Sequence, residues 1–358
     1  MTMKLLVVGL SGTTHLGRSF LTAAENLGLE AKLVDVTGAY EAHWLLRQVN
    51  WRLRGRYPAQ LPHLSGAVVD ACLDFQPHCL LVTGLGPVNA LSLQRIGALG
   101  IQRFNFLSDD PFNPAHRAAW FLEALPHYDL IFSPRQANLG DLKDFGCDRV
   151  EYLPFGYDTD LFYPDTYLQN QASSSLDSTP LAFPDPTLGP ADVMFAGAAD
   201  ADRVPYMAAL IDAGFQLALY GKYWDRYPQT KSHGLGQAHV ATLRSAIGRA
   251  KVAICLVRRA NRDGHCMRTF EVPAVGGACM LTEDTPEHRQ IFGPEGEAVI
   301  YFNTLAEMVS KTHWLLAHDQ ERQRLAANAH RLVTRGGHSY QDRLKTMLTY
   351  CQSLSELT

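Results

Sequence analysis

Arg268 and Glu271 stand three residues apart in the run Met267–His288, MRTFEVPAVGGACMLTEDTPEH. On a helix that spacing brings a cation and a carboxylate to one face, where they could meet one ligand or simply form a surface ion pair. A second chemical pair is Asp109-Asp110, in Ser108–Phe112 after an apolar run. Adjacent aspartates cannot both shed water cheaply, so one is expected to have a raised pKa and to serve as a base. The same residues could instead cap backbone N–H groups ahead of Pro111, and two carboxylates are too few oxygens for a hard metal. A third feature is the turn Leu10–Gly17, with Gly12 and His15. Its glycines miss the G-x-G-x-x-G spacing, so it reads either as an anion or hydroxyl site at a helix N-terminus or as a plain tight turn.

The elements that would carry these residues alternate. Lys4–Gly9 is a buried strand, Arg18–Leu27 a helix stopped at Gly28, and Glu30–Val36 a second strand, a β-α-β opening. Tyr40–Arg56 is a helix mixing Trp44 and Trp51 with Arg47, Arg52, Arg54 and Arg56. It suits an acceptor, a membrane surface, or a solvated face with snorkelling arginines. Cys79–Thr83 and Gln102–Leu107 are strands separated by Leu91–Leu99, a helix, so Asp109 and Asp110 follow the carboxyl end of a parallel strand. That is where such sheets bind ligands. Tyr163–Pro190, rich in Pro, Ser, Asp and Thr, reads as a linker. A second alternating series begins at Asp192–Ala196, turns at Gly197 ahead of a helix from Arg203, and continues through Phe215–Tyr220 and Lys251–Leu256. The expected division is residues 1–163, a linker at 164–190, a second domain at 191–337, and a last helix within 338–358 that could pack back on the first domain.

At 358 residues the chain is long for one core, which agrees with two domains. A net charge of -4 argues against a nucleic-acid partner or a general attraction to anionic membranes, leaving only local basic patches. The seven cysteines are dispersed without a CxxC pair, which predicts reduced thiols in a cytoplasmic protein and no structural metal site. The apolar run at the N-terminus is too short for a transmembrane segment.

Several ordered motifs in the second half resemble one family. They are Phe195-Ala196-Gly197, Leu219–Trp224 (LYGKYW), Arg268-Thr269-Phe270-Glu271, Gly276-Gly277, Leu281-Thr282-Glu283 and His338-Ser339-Tyr340 with Arg343. Together they resemble the donor-binding domain of GT-B glycosyltransferases, more narrowly the spore-maturation-type (CgeB-like) members. The first half agrees through Ser108-Asp109-Asp110-Pro111 and Leu153–Asp158.

The resemblance implies a GT-B α/β fold, with two Rossmann-like doubly wound parallel-sheet domains facing across a cleft. It implies an enzyme, a metal-independent glycosyltransferase with no required cofactor. Its donor would be a nucleotide-diphosphate sugar of UDP, GDP or dTDP type, and its acceptor a glycan, a protein or a small molecule. Glu271 falls where the family places a ribose-binding glutamate, and a carboxylate suits two adjacent hydroxyls. Arg203, Lys222 and Arg268 are candidates for the diphosphate, with Gly12, Gly197, Tyr220, Gly276 and Glu287 as further binding candidates. Many retaining members carry a glutamate eight residues before the ribose glutamate, and here Asp263 takes that place. Asp109, Asp110 and His15 are the candidate bases for an inverting reaction. The alternatives are a GT-B-fold epimerase or hydrolase acting on the donor alone, or a non-catalytic nucleotide-sugar-binding protein.

Overall fold

The structure, a computed structural model, describes residues 3–164 and 191–355. The expected linker therefore lies almost wholly outside the described residues. Two compact units emerge, one made of Met1–Pro154, Ala260–Asp263 and Tyr340–Thr358, the other of Phe155–Arg259 and Gly264–Ser339. The chain passes to the second unit at Phe155, ahead of the boundary expected at 163, and residues 260–263 return briefly to the first.

In the first unit the strands β1 (Lys4–Gly9), β2 (Glu30–Asp35), β3 (Cys79–Thr83), β4 (Gln102–Phe106), β5 (Leu130–Ser133) and β6 (Val150–Tyr152) form one parallel sheet. Their order is β2-β1-β3-β4-β5-β6. β3 (CLLVT) is buried at every residue, as a central parallel strand covered on both faces must be, whereas edge β2 is half exposed. Helices α1 (Leu16–Asn26), α2 (Trp44–Arg52), α3 (Leu61–Phe75), α4 (Ala90–Ala98), α5 (Ala119–Ala124) and α6 (Ala137–Asp144) connect them. The β1–α1 turn is close-packed: a Cβ on Gly9 would lie 2.2 Å from Thr83 Oγ1, and one on Gly17 2.8 Å from the Leu10 carbonyl. These glycines serve backbone approach.

The second sheet has the order β11-β10-β9-β7-β8, again all parallel. Its strands are β7 (Val193–Ala196), β8 (Leu217–Tyr220), β9 (Val252–Cys255), β10 (Cys279–Glu283) and β11 (Ile300–Phe302). The helices are α7 (Val204–Asp212), α8 (Val240–Arg249), α9 (Arg268–Val275), α10 (Pro286–Phe292), α11 (Leu305–Ala317) and α12 (Asp319–Arg335). Thr285 and Thr304 cap α10 and α11 by accepting from the N–H groups of His288 and Glu307. The last helix, α13 (Tyr340–Ser355), belongs to the first unit, where the Tyr340 and Phe20 rings lie 5.2 Å apart.

Cysteine pairing departs from the expectation of reduced thiols. Cys79 and Cys351 form a disulfide, while Cys72, Cys147, Cys255, Cys266 and Cys279 are free. A separation of 272 residues hides such a pair from any reading of local spacing.

Candidate functional site

In each sheet the strand order reverses at one point, between β1 and β3 in the first and between β7 and β9 in the second. Ligands of open α/β sheets bind beyond the carboxyl ends of the strands at such a point. In the second unit that place is built by the turn after β7, the turn after β8 and the start of α9. Gly197 N–H donates to the Tyr220 carbonyl at 2.8 Å, and its own carbonyl accepts from Trp224 Nε1 at 2.9 Å. Ala199 N–H donates to the Lys222 carbonyl at 2.9 Å, so the two turns are zipped together. Gly221, at φ +135°, passes so close that a Cβ would sit 2.1 Å from the Gly197 carbonyl oxygen. Side chains are excluded there.

Arg203 stands at the N-cap of α7 and is buried. Its guanidinium lies over the Phe195 ring at 5.6 Å and donates to the Ala198 carbonyl at 3.2 Å, while Nε has no partner among the described residues. A buried arginine with a spare donor beside a helix N-terminus suits an anion. Lys222 is exposed, and Tyr220 is buried, which raises its hydroxyl pKa.

Arg268 and Glu271 do pair on the first turn of α9, through Arg268 Nη1 and Glu271 Oε2. The pair is not a solvated surface ion pair, because Glu271 is 3% exposed. The Arg203 charge is felt at this helix start, at Cys266. The thiol of Cys266 is pulled well below the ordinary range by its hydrogen bond with Cys255, at 3.6 Å; burial opposes this and the Arg203 guanidinium reinforces it. Sequence reasoning passed over this cysteine pair because its members are eleven residues apart, on a strand and on the loop that returns to the helix.

Other expected members are elsewhere. Gly276, at φ +70°, ends α9, so an eight-residue helix of roughly 12 Å separates it from Arg268. Its role is to close the helix. Glu287 is buried on α10, where Oε2 accepts from His265 Nδ1 at 2.5 Å. His265 Nε2 in turn accepts the Phe155 N–H at 3.1 Å, which fixes the proton on Nδ1. Asp263 belongs to the first unit, in a buried ion pair with Arg135 Nε.

In the first unit, Asp109 and Asp110 follow β4. The expected raised pKa is not found: both carboxyls lie below the usual range. For Asp110, burial is outweighed by hydrogen bonds from Arg262 Nε at 2.7 Å, Phe112 N–H at 3.0 Å and Asn138 Nδ2 at 2.8 Å. Asp109 is likewise desolvated, and the Asn261 amide at 3.0 Å with the His116 and Arg135 charges more than compensates. Each aspartate has its own donors, so neither is driven to protonate by the other. Asp110, 2% exposed and accepting from three donors, holds the turn and Arg262. Asp109 retains exposed surface and has His116 Nε2 at 3.7 Å, a neighbour that sequence reasoning did not single out. Gly12 and His15 lie in the β1–α1 turn, with β3 between β1 and β4, roughly 10 Å apart. A pocket of about 590 Å³ opens beside this cluster, lined by Asp110, Phe112, Asn113, Asp141, Phe145 and Arg262. Arg262 is held in the left-handed region, φ +53°, and also pairs with Asp141 at 2.7 Å.

Residues 203–349 match the family model described as glycosyl transferase-like. Solved structures similar along the whole chain include HepE of Anabaena in complex with UDP-glucose, 13% identical at a TM-score of 0.61, with 99% of this chain and 100% of that one covered. This chain has the GT-B fold. T4 phage BGT with its UDP-glucose substrate is 15% identical at 0.54, with 96% and 99% covered. UDP-GlcNAc 2-epimerase from Neisseria meningitidis bound to UDP-GlcNAc is 13% identical at 0.52, with 97% and 100% covered. No curated protein matches the sequence. The GT-B architecture expected from the motifs is thus borne out, and the family-model match falls mostly within the second unit.

Proposed function

We propose that this GT-B protein is a glycosyltransferase that binds a nucleoside-diphosphate sugar, of UDP type, against the second unit and moves the sugar to an acceptor hydroxyl. The observation that carries the reading is the buried Arg203, with its spare donor, beside the Arg268–Glu271 pair at the β7/β9 switch point, inside the family-matched segment. Glu271 takes the ribose hydroxyls, and the Arg203, Arg268 and Lys222 cations meet the diphosphate as charge grows on the leaving nucleotide. UDP is favoured because the structural neighbours named above were solved with UDP sugars. Within the class, the motifs from Phe195 to Arg343 support a spore-maturation-type member.

Acceptor recognition falls to the first unit, where the pocket beside Asp110 is large enough for a sugar or a small aromatic group. Asp109 with His116 is the pair best suited to receive a hydroxyl proton, ahead of the saturated Asp110 and the distant His15. The test is calorimetry with UDP, GDP, dTDP and their sugars on the wild type, Glu271→Gln and Arg203→Gln. UDP sugars are expected to bind, and each variant to weaken them; unchanged affinity in both variants overturns the site. Incubating donor alone and following it by NMR separates transfer from epimerisation or hydrolysis. A donor that stays intact until acceptor is added supports transfer.

A further inference from the structure

Helix α2 presents to water what a chain normally buries. Trp44 is 60% exposed, Leu45 53%, Trp51 52% and the following Leu53 80%, while Leu46 and Val49 are also exposed. Asn50 is the one buried residue of the helix. At 100° per residue the side opposite Asn50 carries Trp44, Leu45, Gln48, Val49, Trp51 and Arg52. The Trp51 ring is braced by the Tyr40 ring at 6.2 Å and the Arg56 guanidinium at 5.4 Å. A contiguous exposed patch of this kind marks an interaction surface.

Charge selects the partner. No acidic residue lies between Glu41 and Asp70, while Arg47, Arg52, Arg54 and Arg56 do, in a protein of net charge -4. We propose that this face docks the first unit reversibly on an anionic lipid surface. The indoles and aliphatic side chains enter the boundary between headgroups and acyl chains, and the exposed Arg47, Arg52 and Arg54 meet lipid phosphates. The apolar side chains project outward, which suits a fluid surface that needs no matching shape. A symmetric second copy would set arginine against arginine. Among the described residues no helix is long and apolar enough to cross a membrane, so attachment through α2 is peripheral.

The experiment is co-sedimentation of the full chain with phosphatidylcholine vesicles, with and without phosphatidylglycerol, at low and high salt. Binding is expected to be at least about tenfold stronger with the anionic lipid, to fall with salt, and to shift tryptophan emission to the blue. The variant Trp44→Ser/Leu45→Ser/Leu53→Ser and the charge-reversed Arg47→Glu/Arg52→Glu/Arg54→Glu should each lose it. All six positions are exposed, and an unchanged melting temperature shows that the variants fold. Equal weak binding to both vesicles overturns the proposal. So does wild-type self-association in sedimentation that the serine variant abolishes, which would assign the face to a second copy, or capture by an acidic protein without vesicle binding.

Discussion

The Glu271 carboxylate is buried and already paired with Arg268, which makes substitutions of the two partners separable. Glu271→Gln keeps the shape and removes the charge that ribose hydroxyls would meet. A hydrogen bond to a charged group contributes about 1.5–3 kcal/mol, so nucleotide affinity should drop about 10- to 100-fold by calorimetry. Arg268→Ala leaves the buried carboxylate uncompensated. Because Arg268 is itself 30% exposed, the cost in urea unfolding should be on the order of 2 kcal/mol, below the ~3–5 of a fully buried pair. His288 provides a pH prediction. Its ring accepts from or donates to Thr269 at 3.0 Å and lies 2.8 Å from the Glu283 carbonyl, and burial lowers its pKa from 6.5 to about 4. Since the folded value is depressed, the stabilisation is present above about 6.5 and is lost as pH falls toward about 4. Melting temperatures at about pH 7.5, above that window, and at about pH 5, within it, should diverge in the wild type. The divergence should shrink in His288→Gln, and an unchanged slope would contradict the assignment.

At the scale of elements, legibility followed burial and local signals. β1 and β3 were readable to the residue because each is a short apolar run between turn residues. The start of α10 is marked locally by Thr285 followed by Pro286, a cap with proline in the first turn, set among the acidic Glu283, Asp284 and Glu287. The capping of the Phe112 N–H by Asp110 was readable as a local turn, but Asn261 and Arg262 were not, since they lie 152 residues away. The β7 and β8 turns give the clearest element-scale prediction. Gly221→Ala would drive a methyl group against the Gly197 carbonyl at a backbone φ that alanine avoids. It should cost more than about 2 kcal/mol and weaken nucleotide binding with it. Gly214→Ala, also at positive φ but with open space around it, should cost only about 1 kcal/mol and leave binding unchanged. Equal effects in both would mean the close approach has no role.

For the whole molecule, the organisation visible in the chain was two alternating series, and the structure resolves them into two units whose membership is not sequential. The first unit takes its last helix from the far end of the chain. On α13, Tyr340, Leu344, Met347 and Cys351 are all buried. Tyr340 meets Phe20, Tyr350 meets Phe132 at 5.7 Å, and Arg343 Nε donates to the Pro154 carbonyl at 2.9 Å. Burying four such side chains contributes roughly 8 kcal/mol, comparable with the ~5–15 kcal/mol that holds a whole domain folded. A chain stopped after Ser339 should therefore lose the first unit. Hydrogen exchange in β1, β3 and β5 should rise to that of unfolded backbone, while β7, β9 and β10 stay protected. Because every residue assigned to the nucleotide lies in the second unit, the truncated chain should still bind UDP yet transfer no sugar. Loss of nucleotide binding together with the first unit would show that the donor site needs residues beyond Arg203, Lys222, Arg268 and Glu271.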